Sequence, residues 1–103
     1  MTIKLSEEAK RVATEVLPGY MVQPMIDYFE QGLHPGGFLG AVLANDLVGA
    51  FSHADNTNKA YIGEYVQWLH WHAPGRASGA WGSYEAIDTW VAEAQTERSL
   101  LVD

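Results

Sequence analysis

Cysteine is absent from this sequence, and lysine and arginine together account for only six of its 103 residues. Without cysteine the chain forms no disulfide and offers no thiolate to a metal ion. Thirteen acidic residues leave a formal net charge of −7. That charge opposes binding to nucleic-acid backbones, because phosphate contacts come mainly from Lys and Arg. An acidic surface instead suits a basic protein partner, imitates a nucleic acid, or simply keeps the chain soluble.

Long apolar runs and strand-like alternation are missing as well. The apolar stretches are short and interrupted by charge, so no transmembrane helix fits and we expect no membrane partner. The opening residues, MTIKLSEEAKRV, reach charged positions at once and lack the apolar region of a signal peptide. These features favour the cytoplasm. A length of 103 residues predicts one domain that spans positions 1–103.

The sequence does contain helical periodicity between short breaks. This pattern predicts a compact all-α domain of five or six short helices joined by tight turns. Ser6, Asp46 and Ser83 are suitable N-caps, and Gly32 is a suitable C-terminal stop. The predicted helices run from Ser6 to the break at 17–20, over about 21–31, from Pro35 to the break at Asn45, and over about 46–54, 57–73 and 84–98.

A glycine-rich stretch, HPGGFLG, begins at His34 and invites comparison with a phosphate-binding loop. A Walker-type loop needs a lysine after the glycines and a strand before them, and this stretch has neither. Gly36, Gly40 and Ala44 instead fall on one helical face, where small residues would let another helix approach closely. A weaker alternative is that the amides of Gly36 and Gly37, with His34 nearby, hold an anion at the helix N-terminus.

The histidines and acids show no recognisable catalytic or metal-binding spacing. His70 and His72 are two positions apart, so on a helix they point to opposite sides and cannot chelate one ion. We therefore predict no catalytic residue, no metal site and no cofactor. One alternative stays open, a hydrolase whose site is assembled in space from His53, Asp55 and His34.

The longest predicted helix, over about 57–73, carries two apolar faces. One is a mainly aliphatic stripe with the spacing of a core-facing surface, and the other is a series of ring side chains. The stripe consists of Ile62, Tyr65, Val66 and Leu69, and the ring series consists of Tyr61, Tyr65, Trp68 and His72. A helix that is apolar on two faces is buried on both or uses one as a binding surface. The ring series is expected to be core or a subunit interface, or to stack on the ring of a ligand.

The segments GLHPGGFLGAVLANDL, ADNTN, YVQWL and WGS together resemble a family of small uncharacterised proteins encoded by bacteriophages and prophages. The resemblance covers about residues 17–83, and its most distinctive parts are PGGFL with NDL, AD followed by N, and WGS. It implies an accessory protein of phage biology that is expressed inside a bacterial host. It carries over no catalytic residues, since none are assigned in that family.

These observations favour a non-enzymatic, phage-type accessory protein that binds a host component, such as a defence protein, in the bacterial cytoplasm. The alternatives are a binder or sponge for a small nucleotide signal, and the hydrolase described above. Abundant aromatics in so small a core also predict a homodimer or higher homo-oligomer, with the face of Tyr61, Tyr65 and Trp68 partly in the interface. The candidate contact residues for a partner or ligand are Tyr61, Tyr65, Trp68, His72, Gly36, Gly37, His34 and Arg76.

Overall fold

A computed structural model describes residues 3–75 and 78–101 of the chain. Within these residues the fold is all-α, as predicted, and contains seven helices and no strand. The helices are α1 (Glu7–Val16), α2 (Gly19–Gln31), α3 (Gly36–Leu43), α4 (Leu47–His53), α5 (Asn56–Ala60), α6 (Ile62–His72) and α7 (Tyr84–Leu101). None of the helices in this described part is both long and apolar enough to cross a membrane.

Local polar residues set several helix boundaries, as the sequence predicts. The Ser6 hydroxyl accepts a hydrogen bond from the Ala9 amide at 3.0 Å, at the beginning of α1. The Ser83 hydroxyl accepts one from the Ala86 amide at 3.0 Å, at the beginning of α7. At the end of α2, Gly32 adopts a left-handed conformation with φ of 66°, which glycine does without strain. These boundaries therefore depend on short-range bonds.

The prediction of one long helix over 57–73 is wrong, and this accounts for the seventh helix. The segment divides at Tyr61, whose backbone angles (φ −109°, ψ 7°) depart from α-helical values. The Asp55 side chain caps α5 by accepting from the Asn58 amide at 2.7 Å, and the Tyr61 amide donates to the Asn58 carbonyl at 3.0 Å. Buried Asn58 also accepts from the Tyr65 hydroxyl at 2.6 Å. The turn closed by the bond from the Tyr61 amide to the Asn58 carbonyl ends α5 after five residues, and α7 is the longest helix instead.

α2 begins two residues earlier than predicted, because Gly19 and Tyr20 already belong to its first turn. The Met21 amide donates to the Pro18 carbonyl at 2.9 Å, so the helix starts directly after a proline. Pro24 consequently lies in the second turn rather than in the first. Since proline has no amide hydrogen, Pro24 cannot donate to the Tyr20 carbonyl, which weakens this helix locally.

The core is organised around the ring side chains of α6. Tyr65 and Trp68 are almost completely buried, and the Trp68 indole nitrogen donates to the Ala9 carbonyl of α1 at 2.9 Å. The Trp68 ring packs on Phe29 of α2 with 6.1 Å between ring centroids. The Tyr65 ring packs edge-on against Phe38 of α3 at 5.2 Å. One face of α6 therefore contacts three other helices.

A second pair of buried rings joins α2 to α7. The Trp90 indole nitrogen donates to the Tyr28 carbonyl at 2.9 Å, and the Tyr28 hydroxyl donates to the Ala80 carbonyl. Burial raises the pKa of the Tyr28 hydroxyl, so the group stays protonated and remains a donor. No buried side-chain nitrogen or oxygen in the described part of the chain lacks a hydrogen-bond partner.

The two apolar faces of α6 are arranged differently from what the sequence suggests. Tyr65, Trp68 and Leu69 are buried, whereas Ile62 is only half-buried and Val66 is 56% exposed. Large rings remove more apolar area from water than a valine does, and their polar tips find partners here. Tyr65 and Trp68 therefore offer no surface to a second subunit, and their predicted place in an interface is wrong. The oligomeric state itself stays a prediction.

The predicted small-residue face of α3 does not bring another helix close. A β-carbon on Gly40 would meet only the Pro35 ring, at an ordinary contact distance of 3.7 Å, and one on Gly36 would meet nothing within 4 Å. The close approach lies instead at Gly32, where α2 ends against α7. A β-carbon there would overlap the side chain of Ala94, and the left-handed backbone is itself unfavourable for other residues.

Two tyrosine–aspartate pairs connect helix beginnings at the surface. The Tyr20 hydroxyl of α2 donates to Asp55, the N-cap of α5, at 2.5 Å. The Tyr84 hydroxyl of α7 donates to Asp46, the N-cap of α4, at 2.5 Å. In each pair the tyrosine hydroxyl, and after it a backbone amide of the capped helix, lowers the pKa of the aspartate below its ordinary value of 3.8. Both carboxylates are thus stabilised in their charged form.

Gly32→Ala is expected to lower the free energy of unfolding by about 2 kcal/mol, because strain in the backbone adds to steric overlap. Gly40→Ala is the matched control, since it adds the same methyl group inside a helix that has room for it. The control is expected to leave stability unchanged or to raise it by up to about 1 kcal/mol. Urea unfolding followed by circular dichroism measures both. Equal effects of the two substitutions would contradict this assignment of the close contact.

The tyrosine–aspartate pairs predict a loss of stability in acid. A folded-state pKa below the unfolded value means that the unfolded chain binds more protons. The free energy of unfolding therefore falls as the pH drops from about 4 through the folded-state pKa values. The double variant Asp46→Asn/Asp55→Asn keeps two capping side chains but does not titrate there. Urea unfolding between about pH 5 and pH 2 should show a shallower acid limb for this variant. Identical slopes would show that the pairs do not contribute.

Candidate functional site

Two adjoining cavities open where α3, α4, α6 and the loop before α7 meet. The larger encloses about 410 Å³ and the smaller about 210 Å³. Val42, Asn45 and Val66 line both cavities, so the two lie side by side along one surface groove. We call this surface the α6 groove, because residues of α6 line both of its cavities.

The α6 wall of the groove is a single helical face. Its residues follow one another at the spacing i, i+4, i+7, i+8 and i+11, which keeps them on one side of a helix. They are Ile62, Val66, Leu69, His70 and Ala73, the last directly after the helix end. The direction of this face follows from the core: with the rings of α6 buried, Leu69 is buried as well and Val66 is left exposed at the surface.

α4 forms one end of the groove. Asp46, Leu47 and Ala50 line this end, opposite Ile62 of α6. Leu47 is 65% exposed and the adjacent Val48 is 77% exposed, so the apolar surface continues from the groove onto the outer face of α4. A contiguous exposed apolar surface of this kind is typical of an interaction site.

The loop before α7 forms the other end of the groove. Pro74 and Trp81 line it, and the Trp81 indole nitrogen donates to the Pro74 carbonyl at 2.7 Å. The Gly82 amide donates to the Leu43 carbonyl at 2.7 Å, which anchors the loop to the end of α3. The Asn45 side-chain amide adds a longer bond to the Gly82 carbonyl at 3.4 Å. These bonds hold the Trp81 ring in place as a wall of the groove.

The electrostatics of the groove favour positive charge at its α4 end. Among the described residues that line it, Asp46 is a carboxylate and none is Lys or Arg. The Tyr84 hydroxyl and then the Gly49 amide lower the pKa of Asp46, so this carboxylate is ionised at neutral pH. At the other end α6 stops at His72, and the negative end of its helix dipole lies beside the groove wall.

The ring residues predicted as contacts do not line the groove. Tyr65 and Trp68 lie in the core, and Tyr61 is 38% exposed between α5 and α6. His72 is half-buried with its ring 6.5 Å from that of Trp68, and both border a small cavity of about 110 Å³ against α1. Arg76, the other predicted contact from this region, lies outside the described residues.

The predicted anion site at the beginning of α3 is engaged by the chain's own groups. The His34 ring nitrogen Nδ1 accepts a hydrogen bond from the Gly36 amide at 3.1 Å. A β-carbon on Gly37 would lie 3.2 Å from the His53 ring, which places that ring against the turn. The anion-binding hypothesis therefore loses one of its two amide donors, because His34 uses that donor itself.

The residues of the hydrolase alternative have structural roles at helix ends. Asp55 accepts from the Tyr20 hydroxyl and from the Asn58 amide, and His53 Nδ1 lies 2.9 Å from the Gly49 carbonyl. In the part of the chain that the structure describes, no group of three or more His, Asp or Glu side chains is placed to hold a metal ion.

Sequence reasoning missed the groove because each of its residues has an ordinary structural interpretation. Val66 and Leu69 fit a core stripe, and Trp81 stands in a loop of small residues. The sequence feature that could have revealed the groove was the second apolar face of the helix predicted over 57–73. Periodicity shows that such a face exists, but it does not show which of two faces the rest of the chain covers.

The chemistry of the α6 groove suits binding. Its apolar walls remove water from a bound side chain, and Asp46 offers an ionic contact at one end. Among the described lining residues, the titratable side chains lie in different cavities: Asp46 lines the smaller cavity and His70 lines the larger one. Comparison with protein-family models, with curated proteins and with solved structures finds no match for this chain.

Proposed function

We propose that this protein is a phage-type accessory protein that acts without catalysis, by binding a host protein in the α6 groove. The resemblance of its sequence to phage proteins supports a role in phage biology. The groove supports action by binding. The observation that carries the proposal is the continuous apolar surface of the groove and of α4, which remains open on a chain with a net charge of −7.

The exposed side chains of this surface give a partner a source of binding energy. Leu47, Val48 and Val66 are each more than half exposed. Full burial of one such side chain contributes about 1.5–3 kcal/mol. A partner that covers all three would therefore gain several kcal/mol, part of which offsets the entropy lost on association.

A small-molecule binder is the second candidate, and the size of the larger cavity favours it. A volume of about 410 Å³ lies within the range of ligand pockets. The Trp81 ring offers a stacking surface and His70 a polar contact in this cavity. A nucleotide signal suits the site less well, because none of its described lining residues is a Lys or Arg that would contact phosphate.

Val66→Glu is expected to abolish capture of a host protein and to leave the fold intact. The side chain is exposed, so the substitution has little effect on stability, yet it places a carboxylate within an apolar contact where its desolvation is unfavourable. The measurement is quantitative mass spectrometry of host proteins retained by the immobilised full-length chain, with circular dichroism of each variant.

Trp71→Glu is the matched control for this experiment. Trp71 also lies on α6, is 70% exposed, and lines a different cavity. The proposal requires that the Val66 variant loses the captured protein and that the Trp71 variant retains it; loss in both, or in neither, would refute it. Saturable thermal stabilisation by a small molecule that depends on Val66, without a captured protein, would favour the second candidate.

A further inference from the structure

The α6 groove has the length of a short helix. Its α6 wall extends from Ile62 to Ala73, which is about 16 Å at 1.5 Å per residue. Three turns of helix cover the same length and place apolar side chains on one face at i, i+3, i+4 and i+7. The two cavities provide wider sites for the larger of those side chains, one beside Ala50 and one beside Trp81.

The charges around the groove indicate which charged residues such a helix would carry. Ionised Asp46 lies at the α4 end, and the C-terminal end of α6 lies at the other. Residues 12–58, which include α3 and α4, contain no lysine or arginine. The α3 and α4 segments therefore contribute no lysine or arginine of their own, and the Lys59 ammonium of α5 lies over the Phe51 ring of α4, 5.0 Å from the ring centroid. A cation near Asp46 would interact favourably.

We propose that the partner contributes an amphipathic helix of about three turns to the α6 groove, with a lysine or arginine at the end that lies near Asp46. This inference rests on the proposed function and names the chemistry of the partner. The apolar side chains of the helix occupy the two cavities. Its basic end lies near Asp46.

A second copy of this chain is a poorer occupant of the groove. Each copy carries a net charge of −7, so two copies repel each other. The longest helix that a second copy would offer is α7, which contains four acidic residues and one arginine. Its charge has the wrong sign for an approach to Asp46.

The test uses a synthetic helical peptide of about 14 residues, with leucines at i, i+3, i+4 and i+7 and lysines at both ends. A peptide with glutamates in place of the lysines is the matched control. Each is titrated into the full-length protein, and amide chemical shifts report affinity and location together. We expect the lysine peptide to bind at least about tenfold more tightly. It should shift the amides of Val42, Val66 and Trp81 more than that of Trp71.

Asp46→Asn is expected to weaken binding of the lysine peptide about two- to fivefold, the range of one exposed ion pair. The variant retains a side chain that caps α4. Asp27→Asn is its control, because Asp27 lies on α2 outside the groove lining and is bonded to Gln23 and Gln31. The control is expected to leave the affinity unchanged.

Equal affinity for the two peptides, or shifts located outside the groove, would overturn the inference. Light scattering that shows a dimer, together with loss of that dimer in Val66→Glu, would assign the groove to a second copy and overturn it as well. If Val66→Glu abolishes capture of a host protein while neither peptide binds, the proposed function stands and only the basic helical partner is rejected.

Discussion

Each buried ring with a polar tip needs a hydrogen-bond partner, and this requirement determines how the helices of this protein are arranged. The Trp68 indole nitrogen reaches α1, the Trp90 indole nitrogen reaches α2, and the Tyr28 hydroxyl reaches the loop before α7. These bonds join residues that are 52 to 62 positions apart in the sequence. A buried donor without a partner costs about 1–3 kcal/mol, so rotation of one of these helices about its axis would be strongly unfavourable.

The α6 groove follows from that packing. The rings Tyr65 and Trp68 and the aliphatic Leu69 of α6 enter the core, and Val66 remains at the surface beside exposed Leu47 of α4. The bond between Trp81 and Pro74 shapes the far end. Charge and apolar surface then act at different distances. For the proposed basic partner, the net charge of −7 acts over about 10 Å, and burial of the groove is expected to supply most of the affinity, because exposed ion pairs contribute little.

Several helix boundaries are predictable from sequence because their causes are local. Ser6, Asp46 and Ser83 cap helices by accepting from an amide three residues further on. Gly32 ends α2 because its left-handed backbone suits glycine. The division at Tyr61 is harder to predict, since α5 also depends on a buried hydrogen bond between side chains of the two helices. Helical periodicity continues across such a break and hides it.

The sequence by itself determined an all-α chain, most of its helix boundaries, its acidity, and the presence of two apolar faces on the segment that becomes α6. Only the tertiary structure decided how much of each face is buried. The partner that settles the position of Trp68 is the Ala9 carbonyl, 59 residues away. Periodicity along one segment contains no information about that carbonyl. The candidate site therefore emerged only with the folded chain, because a groove consists of the surfaces that packing leaves uncovered.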